Sequence, residues 1–239
     1  MKKSLVWSLV MLFVLTLSVS AHAALETIGT AQFGGSGTEY KLIYDADAPF
    51  GPITWLDYTN AATNWGAQNE WAMGLDSALT INLNSGVSVD WGDSSWRLPS
   101  TVDGQYAYGK DGLTTAGYNI TSSEMGHLYY TELGNKGYYA TDGTYPQPGW
   151  GLKITGDFEN LITSSYWSGT EYAIDPNRAW GFDVDDGSQG TPFKSANDYG
   201  LAVRSGQVSV VPVPGALFLL GSGLVGMAGF SRRRKGSHC

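Results

Sequence analysis

Two apolar runs, one at each end of the 239-residue chain, confine whatever can fold as a water-facing body to the residues between them. The first is Leu5 to Leu17, preceded by Lys2 and Lys3 and followed by Ala21-His22-Ala23. A charged start, an apolar stretch and a small-x-small site make a secretory signal peptide, read as residues 1–23, with Ala24 as the new N-terminus after cleavage. The run is shorter than the ~20 residues that a membrane span needs, which disfavours a permanent anchor. The second run begins at Val211-Pro212-Val213-Pro214-Gly215. It continues uncharged to Phe230 and ends in Arg232-Arg233-Arg234-Lys235. As a helix, residues 215–230 would reach about 24 Å against a hydrocarbon core of roughly 30 Å, a short span suited to a temporary tether in the inner membrane. The basic cluster orients that span with its C-terminus in the cytoplasm and the body outside.

All 22 acids fall between Glu26 and Asp198, where only eight basic residues stand singly, so the middle carries a net charge of −14. Without clustered Lys and Arg it has no footprint for phosphates, and nucleic acid is excluded as a partner. Between residues 24 and 206 the sole histidine is His127 and there is no cysteine, so neither disulfide staples nor a His/Cys metal site is expected and no firm metal ligand is assigned. The 32 glycines, 14 tyrosines and 9 tryptophans of the chain point to a loop-rich, aromatic-packed fold.

The tail closely resembles the PEP-CTERM sorting signal of Gram-negative bacteria. Its marks here are Pro212-Val213-Pro214, the core Leu219-Leu220-Gly221-Ser222-Gly223-Leu224, and the Arg232-Arg233-Arg234 cluster, together spanning residues 211–235. Val213 stands where the name-giving motif has Glu. The resemblance implies an inner-membrane-tethered precursor, cut near the prolines by a membrane-embedded exosortase and destined for the cell surface or extracellular space of an organism that makes extracellular polysaccharide. The implied partners are the Sec translocon, signal peptidase and exosortase, with extracellular polysaccharide a candidate ligand. Gly221 to Gly226 also spells G-x-G-x-x-G, but the strand, helix and later acid that give that pattern meaning are missing around it.

The middle, residues 24–206, reads as one domain with Ser205 to Val211 as a connector. Strands are expected at Leu25 to Ile28, Tyr40 to Tyr44 and Ile53 to Leu56, then at Ser165 to Tyr172, Ala179 to Val184 and Leu201 to Arg204. Apolar spacing of Ala61, Trp65, Ala72, Leu75 and Leu79 predicts a helix from about Tyr58 to Leu79, capped by Asp57 or Thr59. Thr121-Ser122-Ser123-Glu124 has capping-box spacing for a second helix from about Ser122 to Leu133. Two helices and an antiparallel sheet define an α+β fold. Trp96-Arg97-Leu98-Pro99-Ser100, Tyr166-Trp167-Ser168-Gly169-Thr170-Glu171, Ala179-Trp180 and Leu201-Ala202-Val203-Arg204 resemble the framework of the Lcl C-terminal (DUF1566) domain. That resemblance implies a single C-type-lectin-like domain and brings no catalytic residues. Gly169 replaces the usual Ser, and the cysteines of many members are absent. Read as residues, the tryptophans are core rings whose N–H groups need acceptors, and Arg97 and Arg204 should pair with acids.

Asp183-Val184-Asp185-Asp186-Gly187 is the densest acidic run. With Trp180 beside it, this is the candidate ligand or calcium loop, although its glycine comes one position too early for an EF-hand. Tyrosine and tryptophan faces with the loops 137–151 and 183–194 could meet a sugar. A glycan-processing enzyme would need two carboxylates set across a cleft, and a serine triad would need His127 beside an elbow that the sequence lacks. His127 is expected as a surface or half-buried helix residue. The function this supports is a non-enzymatic exported surface or matrix protein, with extracellular polysaccharide as its candidate ligand; the alternatives are a structural protein with no small ligand and, behind it, a glycan-processing enzyme.

Overall fold

The computed structural model describes residues 25–210. The signal-cleavage residues Ala21, Ala23 and Ala24 lie outside that range, as do the tail residues Val211 to Gly215 and Arg232 to Arg234. Among the described residues no helix is long and apolar enough to cross a membrane; the expected span 215–230 is not among them.

Strands β1 (Glu26–Phe33), β2 (Glu39–Asp45) and β3 (Ile53–Thr63) form an antiparallel meander. Helix α1 (Trp65–Ala78) follows, then β4 (Leu79–Leu83), which returns to pair with β1, and β5 (Val87–Asp90). Short strands β6 (Tyr108–Gly109) and β7 (Ala116–Gly117) precede α2 (Glu124–Gly126), which passes without a break into a π-helical segment, His127–Glu132. The chain closes with β8 (Ser165–Glu171), β9 (Ala179–Asp183), β10 (Ser188–Gly190), β11 (Asp198–Ser205) and β12 (Gln207–Val210). Ten strands make one sheet in the order β4-β1-β2-β3-β11-β8-β9-β10-β7-β6, and β12 pairs with β5 in a separate ribbon. The α+β class holds at this level, with strands predominating. The expected antiparallel sheet is mixed, because β8 meets β11 and β6 meets β7 in parallel.

The sheet is buried on both faces, which explains why its central strands read as apolar runs rather than alternations. Ile43, Trp55, Leu201 and Val203 face Met125, Leu128, Tyr129 and Leu133 from the second helical region. Their neighbours Leu42, Leu56 and Ala202 face Leu75 of α1 and Trp96 on the other side.

The first helix starts later than its apolar spacing suggests. Residues 58–63 belong to β3, held by pairing across two irregularities to β11, and that pairing outweighs local helical preference. Asn64 is the N-cap in place of Asp57 or Thr59, accepting from the Ala67 N–H at 3.0 Å. Gln68, fully buried, sends its Nε2 to the Ala61 and Asp198 carbonyls and receives Asn60 Nδ2, so it satisfies backbone groups that the irregular pairing leaves over.

The second helix is capped by Ser123, whose Oγ accepts from the Gly126 N–H. Glu124 does not close the expected capping box. It is fully buried and turns to Arg97, which donates two bonds of 2.7 and 2.8 Å to its carboxylate, while the Ser100 N–H adds a third at 2.6 Å. Gly126 is fixed by proximity: an added Cβ would collide with the Ile120 carbonyl oxygen. The stretch from Ser205 to Val211, expected as a connector, contains β12, so the folded body extends beyond residue 206.

Candidate functional site

The four framework segments come together as packing. Arg97 bridges Val203 through paired backbone bonds of 2.9 and 2.8 Å, Ser168 Oγ and the Gly169 N–H both donate to the Pro99 carbonyl, and Leu98, Trp167 and Ala179 share one cluster. Arg204 pairs with Asp76 at 3.2 Å, as Arg97 does with Glu124. Trp167 Nε1 donates to the Thr63 carbonyl and Trp180 Nε1 to an Asp103 carboxylate oxygen. Trp96 departs from expectation: it is buried, yet its Nε1 makes no hydrogen bond. Trp180 is fully buried against Tyr172 and presents no face to a sugar.

In the acidic hairpin between β9 and β10, the Asp183 and Asp186 carboxylates accept bonds from nearby groups. Asp183 accepts from the Asp185 N–H at 2.8 Å and from Ser165 Oγ at 2.9 Å; Asp186 accepts from the Ser188 N–H and from Tyr118 Oη. Gly187 sits at φ +83° under Tyr130, where a side chain has no room, so the turn is clamped. Burial pushes the Asp183 carboxyl above its ordinary value, and the charges of Asp186 and Asp185 add to this. Burial likewise raises Asp198, which faces Asp183 across a cleft of about 230 Å³. Among the described residues, Asp183, Asp185 and Asp186 do not converge as a three-ligand cluster.

Such a cluster does form elsewhere. Asp45 at the end of β2, His127 at the start of the π-helical segment and Glu132 at its end place ligand atoms within 4.8 Å of one another. His127 Nε2 lies 3.2 Å from Glu132 Oε1 and 3.8 Å from Asp45 Oδ1, with hydrogen-bond geometry to neither. His127 is therefore buried, not at a helix surface, because the segment carrying it packs directly on the sheet. Burial raises the Asp45 carboxyl, opposed by His127 and by the Trp55 Nε1 bond. The sequence could not join these residues. Asp45 is remote in the chain, and the π register that aligns His127 with Glu132 leaves no mark in residue spacing.

The loop 137–151 builds an aromatic surface. Tyr118, Tyr138, Tyr139, Tyr145 and Trp150 meet through ring centroids 4.8–6.2 Å apart, and Tyr108 joins at 6.4 Å. Tyr145 and Tyr108 are 60% and 54% exposed. Lys110 Nζ lies 3.8 Å above Tyr139, beside a groove of about 500 Å³ lined also by Asp111, Thr114 and Asp142.

Residues 210–235 match the model of the PEP-CTERM protein-sorting motif. The match supports an exported, exosortase-sorted protein with a membrane-anchored precursor. No curated protein and no solved structure matches the chain significantly.

Proposed function

We propose that the mature protein is a non-enzymatic module displayed at the cell surface or in the extracellular matrix. Exosortase releases it from its tail, and it contacts extracellular polysaccharide through the aromatic surface of the loop 137–151. The sorting-motif match at residues 210–235 carries the export and processing half of this reading. Deleting residues 216–235 should leave the chain unprocessed or misplaced. Intact mass of the product and its distribution between membrane and medium are the measurements, and unchanged maturation would sink the proposal.

The ligand half rests on exposed rings beside hydrogen-bonding groups at Tyr108, Lys110, Asp111 and Tyr145. Aromatic faces supply apolar area with little side-chain entropy to lose, and a neighbouring cation and carboxylates suit hydroxyl-rich ligands. The folded body is read as a single C-type-lectin-like domain on the resemblance of its four framework segments. Because those segments are buried, they would support the fold and leave recognition to the loops. On a glycan array, replacing Tyr145 and Tyr108 by Ala should lower binding about tenfold or more with an unchanged melting temperature, since stacking losses are on the order of 1 kcal/mol per ring. A blank array with folded wild-type protein favours the structural alternative with no small ligand.

A further inference from the structure

We infer that Asp45, His127 and Glu132 form a binding site for one divalent transition-metal ion of the zinc class, placed between the end of β2 and the π-helical segment. His127 is 7% exposed and its Nε2, a strong soft-to-borderline donor, is buried with no hydrogen bond while aimed at two carboxylates. A buried imidazole nitrogen left in this way is costly unless something accepts its lone pair or its proton. Four-coordinate zinc, with ligands at about 2.0–2.1 Å, implies ligand atoms about 3.3 Å apart, and the separations of 3.2 and 3.8 Å from Nε2 bracket that value.

The local backbone supplies the second argument. In an α-helix, residues five apart diverge around the axis, whereas a π turn closes between residues five apart and stacks them. Here the Leu133 N–H bonds the Leu128 carbonyl at 2.9 Å in that pattern, and it is this winding that brings His127 over Glu132. Widened turns of this kind are costly and recur at functional sites. Calcium fits poorly, since it wants six to eight oxygens and no imidazole. The three side chains, 0–9% exposed, supply three of zinc's four positions and leave the fourth to water, and the ion would pin the helical region to the sheet.

The test is metal analysis of the exported protein, purified without chelator or affinity histidines. About one first-row metal ion per chain is expected. After stripping with EDTA, added Zn²⁺ alone should raise the melting temperature by about 5 °C or more at a hundredfold excess over its Kd. His127→Gln should lose both bound metal and shift, while retaining every surface acid and also His22, His238 and Cys239 of any unprocessed chain. Should that variant fail to fold, Co²⁺ loading of stripped wild-type protein gives the answer: an intense tetrahedral visible spectrum supports the site. A pale all-oxygen spectrum overturns it. So does a melting temperature of stripped wild-type protein that Zn²⁺ does not move, or a shift that survives in His127→Gln.

Discussion

Arg97→Ala should cost about 3 kcal/mol of folding stability, read as a fall in the urea midpoint at an unchanged m-value. Glu124 is fully buried and receives two charge-assisted bonds from Arg97, so removing the guanidinium strands a carboxylate with the Ser100 N–H as its one strong remaining donor. Arg97 itself is about a third exposed, which admits some compensating water and holds the expectation to the lower end of the range for broken buried pairs. Glu124→Gln should cost less, about 1–2 kcal/mol, because the cation left behind can reach solvent and still bonds Ser100 Oγ and the Leu98 carbonyl. Arg97→Ala within about 0.5 kcal/mol of wild type would show that the pair does not hold the WRLPS segment to α2.

Trp167→Ala is expected to be worse, at about 3–5 kcal/mol, enough to abolish soluble expression where the margin lies near the lower end of the usual range, about 5 kcal/mol. The ring is fully buried among Ala72, Leu98 and Ala179, with Trp65 and Trp71 at its edge. Its Nε1 also satisfies the Thr63 carbonyl at 3.0 Å, at the point where β3 gives way to α1. The loss therefore combines a large cavity with a stranded acceptor. Trp167→Phe should recover part of the deficit, and Met73→Ala, on the exposed side of α1, should be nearly neutral. A soluble Trp167→Ala protein with a wild-type urea midpoint would remove Trp167 from the structural framework.

What the sequence made legible follows from how local its causes are. The expected strands Tyr40 to Tyr44, Ile53 to Leu56 and Leu201 to Arg204 lie within strands, and Ser165 to Tyr172 and Ala179 to Val184 overrun β8 and β9 by one residue each, because apolar runs with turn residues at their ends are local signals. The pairing of Arg97 and Arg204 with acids follows from scarcity of bases, though the partners Glu124 and Asp76 could not be named. Long-range causes were hidden. Extension of β3 through Thr63 depends on β11, more than 130 residues away in the chain, and the role of Gln68 depends on the irregular pairing between them. Asp183, Asp185 and Asp186 stand out in the sequence by density, and in the fold the carboxylates of Asp183 and Asp186 accept bonds that hold the turn. His127 seemed a minor helix residue until the π winding and Asp45 surrounded it.

The β12–β5 ribbon determines how the body is presented. Val210, its last paired residue, is also the first residue of the sorting match, so no stalk separates the fold from the recognition sequence. From Val210 to Pro214 the chain can extend by at most about 14 Å. A cut near the prolines, which the sorting-signal resemblance implies, would bring the domain close against the processing enzyme. After the cut, a carrier joined near the prolines would set the orientation of the whole sheet through a four-residue strand, like a short handle rather than a flexible leash.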